Sequence, residues 1–251
     1  MQKLDRKIAV VTGASSEVDM GTSICRKLAS NGVDVFFTHW KAEIGWLEQF
    51  INELKALGVK TDCAEIDFST KDAASNVMKA VESSLGIPSI LVNNAAHSTN
   101  DGYELLDAET LDIHYAVNMR TTFLLCTEFA KRYKVSNLSS GRIINMTSGQ
   151  DISPMPGELA YVATKGAISA FTKSLSAELA PIGITVNAIN PGPTDSTWMN
   201  DEIRDYLRPK FGLGRIGKPE DVANLINFLV NEEGGWITGQ IIHSEGGFLR
   251  S

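Results

Sequence analysis

The amino-acid sequence predicts an α/β protein with a doubly wound parallel sheet, in which about seven strands lie between two layers of helices. Short apolar runs alternate with longer amphipathic stretches along the whole chain. The apolar runs are continuous, as expected for strands that are buried on both faces. No linker, repeat or low-complexity tract interrupts this pattern in the 251 residues. We therefore predict a single domain over residues 1–251.

The elements follow in order from this pattern. The predicted strands are KIAVV, VDVFF, DCAEI, SILVN, RIINM, ITVNAI and GQIIHS. The helical stretches between them cover residues 21–31, 43–57, 71–85, 109–134, 158–180 and 219–230. In each of these stretches the apolar residues recur at the spacing of one helix face. Doubly wound sheets bind ligands beyond the carboxyl ends of their strands, so the residues that follow the strands form the candidate site.

Composition limits the classes of partner. The formal net charge of −7 argues against nucleic acid, which requires clustered cations. No apolar run approaches the roughly 20 residues of a membrane span. Three cysteines, Cys25, Cys63 and Cys126, lie in apolar patterns, which favours reduced thiols and a cytoplasmic location. The four histidines have no metal-ligand spacing, so we predict no metal site.

A glycine-containing turn follows the first strand. Thr12-Gly13-Ala14-Ser15 leads to Gly21 and a helix. A glycine at each end permits a tight turn and a close helix, whose free amides suit a pyrophosphate. Glu17 and Asp19 occupy the region where a middle glycine is usual. The turn fits either phosphate binding or a simple capped loop. We expect both carboxylates to face solvent, with Asp19 able to cap a helix that starts near Met20.

Polar residues also follow the fourth and fifth strands. The small side chains and amides of Asn93-Asn94-Ala95-Ala96 suit a flat ring, although an Asn pair is also common in turns. Ser148 follows the fifth strand, and Tyr161 and Lys165 come later on a predicted helix. At about 100° per residue, the latter two lie about 40° apart on one helix face. A nearby ammonium should lower the tyrosine pKa from about 10, but such pairs also occur by chance.

Together these motifs resemble the short-chain dehydrogenase/reductase family, whose fold is of the Rossmann type. The resemblance extends from about Lys7 to Gly247. It rests on Thr12-Gly13 with Gly21, Asn93-Asn94-Ala95-Ala96, Asn118, Ser148, Tyr161-x-x-x-Lys165 and Pro191-Gly192-Pro193-Thr194. Within the family the chain is most similar to the 3-oxoacyl-(acyl-carrier-protein) reductases, through GRIINMTS, ITVNAINPGPT, GRIGKPEDVA and ITGQIIHSEGG.

The resemblance implies a role for each site residue. Tyr161 is the acid that protonates a carbonyl oxygen, Ser148 holds that oxygen, and Lys165 lowers the tyrosine pKa and contacts the nicotinamide ribose. Asn118 maintains a water relay to Lys165. The implied cofactor-binding residues are Gly13, Ser15, Gly21, Thr38, Trp40, Lys41, Asp67, Phe68, Asn94, Ala95, Ala96, Tyr161, Lys165, Pro191, Gly192 and Thr194. Thr194 is placed for the nicotinamide carboxamide.

The end of the second strand bears on the choice of cofactor. An acid there accepts hydrogen bonds from the ribose of NAD(H) and repels the 2′-phosphate of NADP(H). The chain instead has Thr38-His39-Trp40-Lys41, with no acid before Glu43. Lys41, together with His39, is available for the phosphate. We therefore predict NADP(H) in preference to NAD(H).

The substrate side is less determined by sequence. Ala96 stands where the Asn-Asn-Ala-Gly motif commonly ends in glycine, and the polar His97 follows it. Ile182 stands where carrier-protein reductases often have arginine. We expect residues 195–213 to form a lid. Three functions stay open: reduction of a 3-oxoacyl thioester, with or without an acyl carrier protein; an alcohol or sugar-type dehydrogenase; and a non-catalytic dinucleotide-binding protein. The resemblance also implies a homotetramer.

Overall fold

The computed structural model describes residues 7–250 and confirms the predicted fold class. The strands are β1 (Ile8–Thr12), β2 (Asp34–His39), β3 (Thr61–Glu65), β4 (Ile90–Asn93), β5 (Gly141–Met146), β6 (Ile184–Asn190) and β7 (Ile241–His243). The helices are α1 (Met20–Ser30), α2 (Ile44–Ala56), α3 (Ala73–Ser84), α4 (Gly102–Leu105), α5 (Ala108–His114), α6 (Thr121–Lys134), α7 (Leu159–Leu179), α8 (Asp201–Leu207) and α9 (Pro219–Val230).

The strands form one parallel sheet in the order β3-β2-β1-β4-β5-β6-β7. Every residue of β5 and β6 is buried, because apolar clusters cover both faces of the sheet. One cluster contains residues of α1, α2 and α9, and the other contains residues of α3, α6 and α7. This arrangement explains why the strand sequences are apolar throughout. In residues 7–250, no helix has both the length and the apolar content to cross a membrane.

The order in which successive strands are added to the sheet reverses between β1 and β4: β2 and β3 lie on one side of β1, and β4 to β7 lie on the other. Strand β1 pairs with β2 on one side and with β4 on the other, which makes this the topological switch point. The hydroxyl of Thr12 accepts hydrogen bonds from the amides of Asn94 (2.9 Å) and Ala95 (3.0 Å). The two loops that leave the switch point are therefore fixed to each other.

The helix predicted over residues 109–134 is divided into three segments. A six-residue π-helical segment, Tyr115–Arg120, separates α5 from α6. The hydroxyl of Thr121 donates to the carbonyl of Ala116 (3.0 Å) within this segment and to the carbonyl of Phe68 (2.8 Å). Such wide turns commonly occur at functional sites. Here the turn buries Asn118 completely.

The close approach of α1 to the turn after β1 depends on Gly21. A Cβ at Gly21 would lie 2.1 Å from the carbonyl oxygen of Gly13, a backbone atom that cannot move aside easily. We expect Gly21→Ala to lower the free energy of unfolding by at least about 2 kcal/mol, measured by urea denaturation. Gly45 is the matched control because it is also the second residue of its helix, and a Cβ there would have its nearest neighbour at 3.8 Å. Equal losses in Gly21→Ala and Gly45→Ala would contradict this explanation.

Candidate active site

The turn after β1 is closed by one of its own acids. Asp19 Oδ2 accepts from the amides of Ser15 (2.7 Å) and Ser16 (2.9 Å), and its Oδ1 accepts from the Thr22 amide (2.7 Å). The expectation that Asp19 faces solvent is wrong, because the amides of the turn and of the first turn of α1 require an acceptor. The predicted capping of α1 is confirmed. Glu17 does face solvent and pairs with Arg26 at 3.3 Å.

The switch-point loops leave room for a phosphate group and a flat ring. The amides of Met20 and Gly21, at the N-terminus of an eleven-residue helix, have no hydrogen-bond partner within residues 7–250. Gly13 has a φ of 76°, and a Cβ there would lie 2.8 Å from the Ala95 Cα. Asn94 Nδ2 donates to the carbonyls of Thr12 (3.0 Å) and Gly13 (2.9 Å), while its buried Oδ1 lacks a partner in the described chain. These features fit a dinucleotide.

The end of β2 supports the turn as well as the predicted ribose site. The Thr38 carbonyl accepts from the amides of Gly13 (3.0 Å) and Ala14 (2.9 Å), and its Oγ1 accepts from the Gly13 amide at 3.3 Å. Thr38 therefore faces the turn. The Trp40 amide donates to the Ser15 hydroxyl at 3.1 Å, so Ser15 joins the turn to β2.

The side chains of Trp40 and Lys41 are exposed beside this ribose site. The Lys41 Nζ lies 5.2 Å from the centre of the Trp40 ring, and Lys41 has a φ of 52°. His39 differs from expectation: it is buried, and burial lowers its pKa. Its Nδ1 lies 3.9 Å from a Glu65 carboxylate oxygen on the neighbouring strand. Because it is neutral at pH 7 and turned inward, His39 is not available as a cation for a phosphate.

The predicted adenine-side residues lie beyond β3. The carboxylate of Asp67 accepts from the Ser69 amide at 2.8 Å, an Asx turn that orders the loop. Phe68 is buried in the cluster between β1, α3 and α6, and it is a core residue as well as a site candidate. Arg120 donates to the carbonyls of Ser69 and Thr70 and fixes the loop to the π-helical segment.

Tyr161 and Lys165 lie on one face of α7, and Ser148 lies opposite them at the end of β5. Lys165 is 2% exposed, and its Nζ donates to the Met146 carbonyl at 2.8 Å. The same Nζ lies 5.4 Å from the centre of the Tyr161 ring. The Ser148 hydroxyl lies close enough to Tyr161 to lower its pKa, and it also contacts the Met155 sulfur at 3.8 Å. The structure thus brings the three residues together.

The electrostatics of this group differ from the expectation. Burial, together with the Glu158 charge, raises the pKa of Tyr161 to about 12, and the nearby Ser148 hydroxyl opposes the rise. Burial also lowers the pKa of Lys165 to about 8. The predicted lowering of the tyrosine pKa by the ammonium is not observed, since the Nζ lies over the ring and donates to Met146. The sequence motifs did not identify Glu158 as a site residue, although its position about one helical turn before Tyr161 predicts that the two side chains are close.

Asn118 connects the loop after β4 to α7. Its Oδ1 accepts from the His97 amide (2.7 Å), and its Nδ2 donates to the His97 carbonyl (2.8 Å) and to the Thr164 hydroxyl (3.1 Å). Thr164 directly precedes Lys165 in α7. The side chain therefore acts as a brace between the two segments.

The loop after β6 forms the other side of the site. Gly192 has a φ of 63°, and its amide donates to the Asn190 side chain at 2.9 Å. The Thr194 hydroxyl lies 3.3 Å from the carbonyls of both Pro191 and Gly192. A cavity of about 130 Å³ adjoins the loop and is lined by residues that include Pro191, Thr194, Leu213, Arg215, Ser244 and Glu245.

The segment predicted as a lid carries α8 and its own small core. Met199, Leu207, Phe211 and Ile216 are buried together. Trp198 is half exposed, and its indole nitrogen donates to the Thr194 carbonyl at 2.9 Å, which attaches the segment to the site. In residues 7–250, no three His, Cys, Asp or Glu side chains cluster as metal ligands would.

The buried Lys165 ammonium should make the free protein less stable. Its pKa is about 8 in the folded state and about 10.4 when unfolded, so between these values the unfolded chain binds more protons and stability rises with pH. We expect Lys165→Met to be more stable than the wild type at pH 7 by on the order of 2 kcal/mol, and the difference to shrink as pH rises through this window. Urea denaturation at several pH values measures this difference in the free energy of unfolding.

Lys173→Met is the control, because Lys173 is exposed on the same helix and should show no such dependence. A Lys165→Met variant that is less stable than the wild type at pH 7 would show that the buried ammonium does not destabilise the protein.

Comparison with known proteins places the chain in a family. A family model described as Enoyl-(Acyl carrier protein) reductase matches residues 13–249. The uncharacterized oxidoreductase YjdA of Bacillus subtilis (strain 168) is 64% identical over 250 residues, which cover 100% of both chains. The 3-oxoacyl-[acyl-carrier-protein] reductase FabG of Aquifex aeolicus (strain VF5) is 34% identical over 255 residues, covering 98% of this chain and 99% of that one.

Solved structures agree with the sequence relatives. A short chain dehydrogenase from Burkholderia cenocepacia J2315, crystallised in complex with NADP, has a TM-score of 0.86 and 31% identity, covering 96% of this chain and 97% of that one. The similarity spans the sheet, the switch point and α7. The chain therefore belongs to the short-chain dehydrogenase/reductase family of dinucleotide-binding oxidoreductases.

Proposed function

We propose that the protein is an NADP(H)-dependent reductase that converts a carbonyl group to an alcohol, with a 3-oxoacyl thioester as its substrate. The observation that carries the proposal is the grouping of Tyr161 with Ser148 and with the Lys165 ammonium, whose Nζ lies 5.4 Å from the centre of the tyrosine ring. A protein that only binds a dinucleotide has no need of a proton donor and a buried cation in this place.

In the proposed reaction, a nicotinamide held by the loops after β1, β4 and β6 would supply a hydride to the carbonyl carbon. The hydroxyls of Ser148 and Tyr161 hydrogen-bond the carbonyl oxygen, which gains negative charge as the hydride arrives. Tyr161 then transfers its proton to that oxygen. With a pKa near 12 in the free protein, Tyr161 is protonated at pH 7 and can act as the acid. In the free protein Lys165 does not lower the Tyr161 pKa, so its proposed role is to hold the nicotinamide ribose.

The proposed substrate class rests on the 34% identity to a 3-oxoacyl-[acyl-carrier-protein] reductase over nearly the whole chain. An acyl carrier protein is a proposed partner, but the cations at the end of α6 give it little support. Arg132 pairs with Glu82 at 2.8 Å and with Glu128, and Lys131 pairs with Glu128 at 3.0 Å. We therefore place the recognition in the acyl thioester itself. An alcohol or sugar-type dehydrogenase would use the same residues in the reverse direction.

The proposed preference for NADP(H) rests on the exposed Lys41 and on the absence of an acid at the end of β2. The NADP complex of the Burkholderia cenocepacia relative is in agreement with it. Glu65 opposes the preference to some extent, since it lies at the end of β3 next to His39 and carries a negative charge toward the same region.

The proposed assembly is a homotetramer in the cytoplasm. Leu111, Tyr115 and Leu124 are each more than 40% exposed along α5, the π-helical segment and α6, and Trp236 is 99% exposed. Exposed large apolar side chains along these helices are the kind of surface that contact with other copies would bury. The three cysteines are free thiols, which suits a reducing compartment.

The reductase function is tested by following NADPH oxidation with an acetoacetyl thioester. We expect turnover with NADPH, weaker turnover with NADH, and a loss of about 10²- to 10⁴-fold in Tyr161→Phe. Tyr133→Phe is the control, because Tyr133 is buried on α6 and its hydroxyl has no partner in the described chain. Binding of NADPH without reduction of this thioester refutes the substrate assignment, and an active Tyr161→Phe refutes the proposed acid.

The charge of Asp19 should weaken cofactor binding. Its carboxylate occupies the amides of Ser15 and Ser16 and lies beside the expected pyrophosphate site. We expect Asp19→Ser, which keeps a capping hydroxyl, to lower the NADPH Kd about fivefold, equivalent to removing ~1 kcal/mol of repulsion. Fluorescence titration of NADPH measures the change.

Glu17→Ser is the matched control, since it removes the same charge at an exposed position and should change Kd by less than about twofold. Weaker binding by Asp19→Ser would mean that the carboxylate acts mainly by ordering the turn.

A further inference from the structure

Asp101, on the loop after β4, has a carboxylate that binds the N-terminus of a distant helix. The residue is 7% exposed. Its Oδ1 accepts from the Leu159 amide (2.7 Å) and from the Gly102 amide, and its Oδ2 accepts from the Ala160 amide (2.8 Å). The Asp101 amide also donates to the Gly157 carbonyl at 2.8 Å. Both carboxylate oxygens are thus committed to backbone amides.

These hydrogen bonds replace a local cap. Helix α7 starts at Leu159, and its own N-cap residue, Glu158, makes no side-chain capping bond. The first amides of a helix need acceptors, and a negative charge there also interacts favourably with the positive end of the helix dipole. Asp101 meets both needs across 58 residues of sequence.

The capped turn is the one that carries the proposed acid. Tyr161 is the third residue of α7, directly after the two amides that Asp101 binds. Fraying of this turn would move the tyrosine hydroxyl away from Ser148. We propose that Asp101 is a positioning residue that fixes the first turn of α7, and with it the Tyr161 hydroxyl, to the loop between β4 and α4. This inference rests on the proposed function of Tyr161.

Backbone hydrogen bonds keep the Asp101 carboxylate ionised at neutral pH. Burial raises the pKa of Asp101, but the hydrogen bonds from Ala160, Gly102 and Leu159 outweigh this effect, and the charge of His114 on α5 lowers the pKa further. The net pKa lies below the ordinary value. In turn, the Asp101 charge adds to the effect of burial and raises the pKa of Glu158.

The test compares the same substitution at two capping aspartates. Asp101→Asn keeps the side-chain volume but puts an NH₂ group against at least one backbone amide, so the cap is lost on one side. Asp107→Asn is the matched control: Asp107 caps α5 through a single bond from the Thr110 amide at 2.8 Å, which an asparagine oxygen can still accept. Asp101→Glu retains the charge and both oxygens.

Two measurements separate positioning from general stability. With NADPH and acetoacetyl thioester, assayed well below each variant's Tm, we expect Asp101→Asn to lower kcat about tenfold or more, with KM and the NADPH Kd changed by less than about threefold. Hydrogen exchange of the peptide amides at 159–165 should be at least about tenfold faster.

Asp101→Glu should recover part of kcat, and Asp107→Asn should match the wild type in every measurement. The proposal is overturned if kcat is unchanged in Asp101→Asn, if exchange at 159–165 is unchanged, or if Asp107→Asn reduces kcat equally. A wild type that binds NADPH but reduces no ketone overturns the proposed function, and exchange at 159–165 then shows separately whether the cap exists.

Discussion

The structure depends on the hydrogen bonds that join β1 and β4 at the switch point. The hydroxyl of Thr12 accepts from two amides of the β4 loop, and the Asn94 amide group binds two carbonyls of the β1 turn. These bonds define one surface on which the turn, the β4 loop and the end of β5 are held in a fixed relation. Gly13 and Gly21 are required there because neither turn nor helix leaves space for a Cβ.

Two carboxylates, those of Asp19 and Asp101, show how backbone amides at helix N-termini are satisfied in this protein. Asp19 binds amides of the β1 turn and of α1, and Asp101 binds amides of α7. The chemistry is the same in both places, since a carboxylate is the strongest acceptor available for several amides. The consequences differ. Asp19 lies where a cofactor's phosphates are expected, whereas Asp101 steadies the helix that carries Tyr161.

Burial dominates the electrostatics of the proposed catalytic residues. The low dielectric surroundings disfavour both the phenolate of Tyr161 and the ammonium of Lys165, and their pKa values shift toward the neutral forms. A tyrosine that stays protonated is suited to proton donation. A lysine with a pKa of about 8 still carries its positive charge at pH 7. The cost in stability is the usual consequence of placing charged groups where chemistry requires them.

The sequence by itself determined the architecture and much of the site. Continuous apolar runs fixed the seven strands, because strands covered on both faces cannot alternate with polar residues. Helical periodicity placed Tyr161 and Lys165 on one face of α7, since that relation depends only on the residues between them. The family follows from the same motifs. The same spacing argument could have identified Glu158, which lies three residues before Tyr161.

Only the tertiary structure decided the remaining features. The inward turn of Asp19, the burial of His39 beside Glu65, the π-helical segment around Asn118 and the capping of α7 by Asp101 all depend on which polar groups meet after folding. Such groups are far apart in the chain or free to rotate, so no local pattern specifies their partners. Buried donors and acceptors must nevertheless be paired, and the packed structure selects the pairs.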